Sequence, residues 1–387
     1  MRLLHTSDWH IGRTLHGTDL LAEQEAVLGG LAEVVTAERV DVVVVAGDVY
    51  DRAVPSTDAT AVLDRVLTRL RGAGATVVLT PGNHDSSRRL GFAAGLLAAS
   101  GVHVRTATTS LDEPVLLADR HGEVAVYGLP YLEPEIARFE LALGGRETST
   151  ARSHEAVLRA AMDRVRADLL LRPGTRSVVL AHAFVGGGQP SESERDISVG
   201  GVDLVSPAVF DGVDYVALGH LHRPQTLSPR LRYSGSPLAY SFGEAGQQKQ
   251  AWLVDLDAAG LAGVRALQLP TPRSLSVLTG RLEELLEDPA HAAVEDHFLS
   301  VRLTDPVRPT DPMRRLQTRF AHCVHLEWTG AAATPDGRSY QERLRGRGDL
   351  DVVGEFVSHV RTVPTTPAER DLLGRALAAV DRAEAAR

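Results

Sequence analysis

The chain has a single cysteine, Cys323, so no intrachain disulfide can form and no thiolate cage can hold a metal. A reducing compartment suits such a sequence. Lysine is almost as scarce: Lys249 is the one lysine among 41 basic residues, and arginine supplies the rest. Arginine suits bidentate phosphate contacts, but an Ala- and Arg-rich codon bias explains the skew more cheaply, so it carries little functional weight. Long apolar runs are absent: Val42 to Ala46, which none exceeds, is far short of the roughly 20 residues that cross a bilayer. The first polar motif begins at Asp8, which leaves no room for a secretory signal. A soluble, cytoplasmic protein without membrane contact is therefore expected. An excess of positive charge is also missing: the formal net charge is -9, so any nucleic-acid contact must be confined to local patches.

What is present is an ordinary folding composition, 43% hydrophobic and 24% charged, in 387 residues. That length exceeds what one core usually organises, so two or three domains are expected. Within the first 222 residues lie five short segments rich in metal-binding side chains: Asp8-Trp-His10, Gly47-Asp48-Val-Tyr-Asp51, Gly82-Asn83-His84-Asp85, Ala181-His182 and Gly219-His220-Leu-His222. Four follow a clear β-type run, at Val40 to Ala46, Thr76 to Thr80, Ser177 to Ala181 and Tyr215 to Leu218; the run before Asp8 is only Leu3 and Leu4. Strands that finish in ligands deliver them to one rim of a sheet.

Between these strands, apolar residues recur at three- and four-residue spacing, as in Leu20, Leu21, Val27, Leu28, Leu31, Val34 and Val35, and in Leu63, Val66, Leu67 and Leu70. A third such helix is expected from Ser153 to Leu171. This rhythm predicts an α/β domain over residues 1–272, closed by short strands at Arg230 to Tyr233 and Ala251 to Asp255 and by Pro270-Thr-Pro272. Residues 273–330 read as a smaller α/β domain: a strand, a helix from Leu278 to Leu286, a strand from His297 to Leu303, a helix from Pro312 to Phe320 and a strand from Val324 to Trp328. Residues 331–349 are Gly- and Arg-rich, as in a linker. Two helices are expected in 350–387, the last opened by a capping box of Thr366, Pro367 and Glu369. Their stripes, including Phe356, Leu372, Leu373 and Leu377, either close a hairpin on the protein or form a docking surface for a partner helix. The Gly186-Gly187-Gly188 loop lacks the Gly-Lys-Ser/Thr of a phosphate cradle and reads as a connection.

The motif chemistry points to phosphoester hydrolysis. Hydroxide must approach an anion, and two cations about 3.5–4 Å apart neutralise that charge and generate the nucleophile. Carboxylates offset the cation charge, while neutral His and Asn tune it. Asp48 is the best placed to bridge two ions. Each fragment alone is a common loop feature; five in this order are not.

The pattern Asp-x-His, Gly-Asp, Gly-Asn-His-Asp, His and Gly-His-x-His resembles the calcineurin-like metallophosphoesterase superfamily. Longer stretches, Thr6-Ser-Asp-Trp-His-Ile-Gly12, Gly47 to Arg52, Ser198-Val-Gly-Gly-Val202, Tyr215 to Gln225 and Tyr233 to Phe242, resemble its bacterial DNA end-processing nucleases over residues 1–270 and more loosely beyond. The resemblance implies a four-layer αββα sandwich with a capping domain over 273–330. It implies two divalent ions, manganese foremost, one among Asp8, His10, Asp48 and His222 and the other among Asp48, Asn83, His182 and His220. His84 is then free of metal and assists the transition state, and Asp85 either orients its ring or caps a helix before Ser86. Asp51 is either a partner of the ligands or a turn carboxylate.

The same resemblance implies a 3′ to 5′ double-strand exonuclease that also nicks hairpins and single strands. Its partners would be double-stranded and hairpin DNA, a coiled-coil ATPase gripped by the helices after 350, and a second copy; the apolar faces of Thr57 to Leu70 and Arg88 to Leu97 either meet that copy or pack internally. Arg13, Arg52, Arg88 and Arg89 either hold DNA phosphates or are solvated. Two other classes compete: a small-molecule phosphodiesterase or phosphatase, which needs no separate capping domain or amphipathic tail, and a DNA-tethering scaffold, which needs no intact ligand set.

Overall fold

Val42-Val-Val-Val45 has no polar face, so a strand made of it must be covered on both sides. A computed structural model, which describes residues 1–141, 153–191, 193–194, 204–330, 347–361 and 364–385, shows how that is met. The chain forms two units, Met1–Arg273 and Ser274–Arg387. In the first, one six-stranded sheet has the order β14 (Gly260–Gln268), β13 (Gln250–Asp257), β1 (Arg2–Thr6), β4 (Val42–Ala46), β5 (Thr76–Thr80), β6 (Val102–Val104). The other has the order β11 (Gln225–Ser228), β12 (Leu231–Tyr233), β10 (Tyr215–Gly219), β9 (Arg176–His182), β8 (Gly122–Gly128), β7 (Val115–Asp119). A two-residue hairpin of β2 (Thr14–Leu15) and β3 (Thr18–Asp19) stands apart.

Leu3, Val42, Val44 and Val78 of the first sheet pack against Val126, Val178, Leu180 and Ala217 of the second, forming the inter-sheet core. The opposite face of the second sheet carries Tyr127, Val179, Ala181, Val216 and Leu218, which pack with Val157, Leu158, Ala161 and Val165 of helix His154–Leu170. Ser153 caps that helix by accepting from the Ala156 amide at 3.2 Å. Helix Thr57–Gly72 lies on β5 and against helix Leu21–Glu38 on the outside of the first sheet. The result is an α/β sandwich of helices, sheet, sheet and helices. Each fully buried Val within it contributes about 1.5–3 kcal/mol.

β1, β4 and β5 run parallel in one sheet, as do β8, β9, β10 and β12 in the other. Their carboxyl ends meet at one rim, where β4 touches both β9 and β10. The hairpin of β7 and β8 is an addition to the expected strands, although Asp119 to Gly122 between two apolar runs is its turn signal.

The second unit has a parallel sheet of β15 (Leu275–Gly280), β16 (Phe298–Leu303) and β17 (Cys323–Trp328). Leu299, Val301 and Leu303 pack with Leu282 and Leu285 of helix Leu282–Glu287, and with Leu316 of helix Pro312–Gln317 and Phe320 beyond it. The expected helix from Leu278 starts later, because Leu278 to Gly280 pair with Val301 to Leu303. Its first amide, Leu282 N, is met instead by Asp305 at 3.0 Å. Helices Asp349–Arg361 and Pro367–Ala385 pack on one another. The expected capping box is present: Thr366 N donates to Glu369 at 2.8 Å, and Glu369 N donates back to the Thr366 hydroxyl at 3.3 Å. Phe356 and Leu372 are exposed, while Leu373 and Leu377 are half-buried. Residues 331–346 and the Ser198 to Val202 motif lie outside the described residues. Among the described residues, no helix is long and apolar enough to cross a membrane.

Candidate metal centre

The chain turns sharply where these strands end. Asp8 (φ 53°), His10 (45°), Asp48 (49°) and His220 (108°) are four of the eight non-glycine residues with left-handed φ among those described. Such backbones cost about 1–3 kcal/mol each and persist where surrounding structure over-determines them. Here Asp8 N donates to Gly47 O at 3.0 Å, His10 N to Asp48 O at 2.9 Å and Ile11 N to Val49 O at 3.0 Å, locking two loops together. Glycine is required beside them: a Cβ on Gly47 would lie 2.3 Å from His182 Nδ1, and one on Gly82 2.1 Å from Asp48 Oδ1.

Three overlapping groups have potential ligand atoms within 4.8 Å of one another: Asp8, His10 and His222; His10, Asp48 and His84; Asp8, Asp48 and His182. His10 Nε2 faces His222 Nε2 at 3.0 Å, and Asp48 Oδ2 lies 3.5 Å from His10 Nε2 and 3.4 Å from His182 Nε2. Asn83 Oδ1 adds a neutral oxygen 2.9 Å from His182 Nε2. His220 is in none of the three groups; its ring stands edge-on to that of His182 at 5.3 Å, and its amide donates to Asp8 Oδ1 at 3.0 Å.

These residues fit divalent cations. The outward ring nitrogens are tied to protein, His182 Nδ1 to Ala46 O at 3.0 Å and His222 Nδ1 to Ser193 Oγ at 2.5 Å, so their Nε2 atoms turn inward. Asn83 Nδ2 is buried without a hydrogen-bond partner among the described residues. Burial pushes the Asp8 carboxyl up to about 7 despite His182 nearby. Burial opposes a charge on His182, yet Asp48 and Asp8 outweigh it and raise the imidazole to about 9. Asp48 stays well below the usual carboxylate range, because His182 and His10 overcome the cost of burying it. A cation entering here takes the place of the His182 proton. Carboxylate and imidazole donors together suit manganese, iron or zinc.

His84 stands at the edge of the centre, its ring 4.7 Å from that of His10 and its amide donating to Asp48 Oδ1 at 2.9 Å. Both expected roles of Asp85 are corrected. The His84 ring is oriented by the Asp51 carbonyl, 2.8 Å from Nδ1, and the helix cap is Ser86. Asp85 instead accepts from the amides of Val49, Tyr50 and Gly82, each at 2.9 Å, which ties the Asp48 loop to the Asn83 turn. The three amides aim the Asp85 carboxylate at the loops, and the His84 Nδ1 it would have met is already taken by Asp51 O. Asp51 lies 3.5 Å from His10 Nδ1 and 3.7 Å from Arg13.

Arg13 is pinned by the Ser193 carbonyl at 2.7 Å and lies over the Tyr240 ring. With Thr14, Asp51, His84, Ser193 and Glu194 it lines a cleft of about 270 Å³. Arg52 is exposed, 3.7 Å from Asp51. Arg88 and Arg89 are exposed on the short helix Ser87–Leu90, Arg88 lining a second cleft of about 490 Å³ beside Asn83.

Sequence reading misses the layer behind the ligands. Ser7 joins the Asp8 carboxylate to Ser234, at 2.5 and 2.7 Å, and Tyr240 supports the Trp9 carbonyl. Glu194 accepts from His222 N at 2.7 Å. The only signal for this layer is the polar spelling of Tyr233 to Phe242, which no strand or helix pattern requires.

The family model for calcineurin-like phosphoesterases matches residues 1–224, more than half of the chain. The chain belongs to this family. As a calcineurin-like phosphoesterase it is a metal-dependent phosphoester hydrolase, and its Asp and His cluster is capable of binding metal ions. A second model, labelled SbcD and described as "Type 5 capsule protein repressor C-terminal domain", matches residues 271–361 of this phosphoesterase. Solved structures similar to it include TT1561 of Thermus thermophilus, at 15% identity, covering 69% of this chain and 98% of that one with a TM-score of 0.39. GAP50, the anchor in the inner membrane complex of Plasmodium, matches at 12% identity over 71% and 85% of the two chains, TM-score 0.35. A dimetal phosphatase from Danio rerio matches at 15% identity over 70% and 99%, TM-score 0.36.

Proposed function

We propose that this phosphoesterase is an SbcD-type DNA nuclease, acting with an SbcC ATPase in DNA end processing, repair and recombination. The observation that carries the reading is the order of the two matches, a catalytic family over 1–224 followed by the SbcD-labelled C-terminal family over 271–361. A small-molecule phosphatase needs no such second domain. In this reading residues 1–272 are the nuclease domain, 273–330 cap the DNA, 331–349 link, and 350–387 dock on SbcC through Phe356, Leu372, Leu373 and Leu377. The protein works in the cytoplasm as a homodimer and degrades double-stranded ends 3′ to 5′ or nicks hairpins.

Asp8, His10, Asp48, Asn83, His182, His220 and His222 would hold two ions, Mn²⁺ foremost. When bound, such ions supply positive charge to the phosphodiester and acidify water. The chain's own task is then to position groups around the scissile phosphate. His84, held through Nδ1 by the Asp51 carbonyl, keeps its other nitrogen for the leaving oxygen. Asp85 fixes the two loops that carry Asp48 and Asn83. Arg13 is already placed at the mouth of the cleft, and the exposed Arg52, Arg88 and Arg89 can meet backbone phosphates further out.

The test is purified full-length protein with Mn²⁺, offered labelled hairpin DNA and a chromogenic phosphodiester, with and without SbcC. Wild type should cut the hairpin, faster with SbcC. His84→Gln should lose about 10²-fold or more of that cleavage while its metal content stays near wild type. Hydrolysis of the chromogenic diester alone, with DNA untouched, would overturn the nuclease reading and leave the phosphoesterase intact.

A further inference from the structure

The single lysine of this arginine-rich chain is buried directly behind a candidate metal ligand. Lys249 is 2% exposed, and its ammonium donates to the His222 carbonyl at 3.0 Å, to Ser236 Oγ at 3.1 Å and to Glu244. Three donors in tetrahedral array meet three acceptors, with none left over. A planar guanidinium could not be substituted without moving one of them. A sequence that uses arginine almost everywhere else keeps lysine at the position where a compact point charge is needed.

The contacts continue to the imidazole. Glu244 Oε1 accepts from Ser193 Oγ, from Tyr240 N at 3.3 Å and from Ser241 Oγ at 3.2 Å. Since the Ser193 hydroxyl gives its proton to Glu244, it can only accept from His222 Nδ1, 2.5 Å away. Nδ1 therefore carries the ring proton, and Nε2 offers its lone pair toward His10 and Asp8. His222 is held at three points besides: its carbonyl by Lys249 and by Ser236 N at 3.1 Å, and its amide by Glu194 at 2.7 Å. A Cβ on Gly235 would lie 2.7 Å from that same carbonyl, so the backbone beneath is packed tight.

We propose that Lys249 is a positioning residue: through Glu244 and Ser193, and through the His222 carbonyl, it fixes the tautomer and aim of His222 and thereby the affinity of one ion of the pair. The proposal rests on Asp8, His10 and His222 forming a metal cluster, and does not depend on DNA being the substrate.

The test measures Mn²⁺ stoichiometry and affinity on the full chain, by loss of the free-ion electron paramagnetic resonance signal, with thermal melting as the control for folding. Lys249→Met alone leaves Glu244 buried without its counter-charge, so Lys249→Met with Glu244→Gln is the decisive variant. It should melt near wild type and bind one ion normally and the other about 10- to 100-fold more weakly, the usual loss when a partner behind a ligand is removed. Ser193→Ala, which cuts the relay without touching the ion pair, should weaken the same ion. Lys249→Arg should fail to restore it. Both ions bound as in wild type by the double variant or by Ser193→Ala would overturn the positioning role. Wild-type protein that binds no Mn²⁺ would overturn the metal-centre reading itself, and this role with it.

Discussion

At the rim where β8 and β9 begin, Asp119 accepts from Arg176 at 2.6 and 3.0 Å and from the Met1 amino group, and Asp255 pairs with Arg2 at 2.7 Å. At the rim where the parallel strands end, Asp8 and Asp48 have no arginine partner among the described residues and face imidazoles instead. Both rims cap the same two sheets with acidic side chains. The difference is in the counter-charge. Guanidinium is permanent and neutralises a carboxylate once and for all at folding, whereas imidazole can surrender its proton and let a metal ion replace it. The first rim uses its carboxylates to hold the sheets, and the second keeps them available.

The largest effect should follow from removing the availability. Asp48→Asn should abolish binding of the ion pair and lower phosphodiester hydrolysis by more than the roughly 10- to 100-fold typical of partners behind the ligands. With EDTA present its melting midpoint should move less than that of Asp119→Asn, because an amide can still bond His182 and accept from His84 N. Equal loss of stability in the two variants would erase the contrast between the rims. Next comes Gly47→Ala, whose new methyl would displace His182 from its bond to Ala46. It should reduce metal content sharply, as measured by elemental analysis of the purified protein.

A smaller loss is expected at the other rim. Asp119→Asn should cost about 2 kcal/mol, as for a lost charged hydrogen bond, and leave Mn²⁺ stoichiometry unchanged. Bonds from Arg176 hold the Asp119 carboxyl well below its ordinary value. Its contribution is therefore complete above about pH 4 and is lost as the pH falls through the depressed folded value. Denaturant titrations at descending pH should show wild type losing more stability than the variant in that acid window. The smallest effect belongs to Gly122→Ala: its φ of +105° is strained for alanine, but a Cβ there meets nothing within 4 Å. About 1 kcal/mol and unchanged metal binding are expected.

The same contrast explains what can be read from the sequence. β4, β5, β9 and β10 are legible because strands buried on both faces spell mostly β-branched and aliphatic runs, and a ligand-type residue, Asp48, Asn83, His182 or His220, stands at or just beyond the end of each. β1 is the weak case: His5 is fully buried between Tyr215 and the Leu218 carbonyl, so a histidine interrupts an otherwise apolar strand. The helix expected over Leu278 to Leu286 is misplaced because its first leucines satisfy a helical period and a strand edge alike. The role of Asp85 is hidden since its donors, the amides of Val49 and Tyr50, arrive from a loop more than thirty residues earlier. Ser193, Glu244 and Lys249 carry no local signal at all. Their meaning lies in pairings between distant parts of the chain that only folding creates.

A protein whose one ε-amine is enclosed offers almost nothing to reagents or enzymes that acylate lysine. Its exterior, furnished with guanidinium groups, should take up succinimidyl esters at the α-amino group at most, and become reactive at position 249 only when the sandwich opens. The extent of such labelling would therefore serve as a built-in gauge of unfolding.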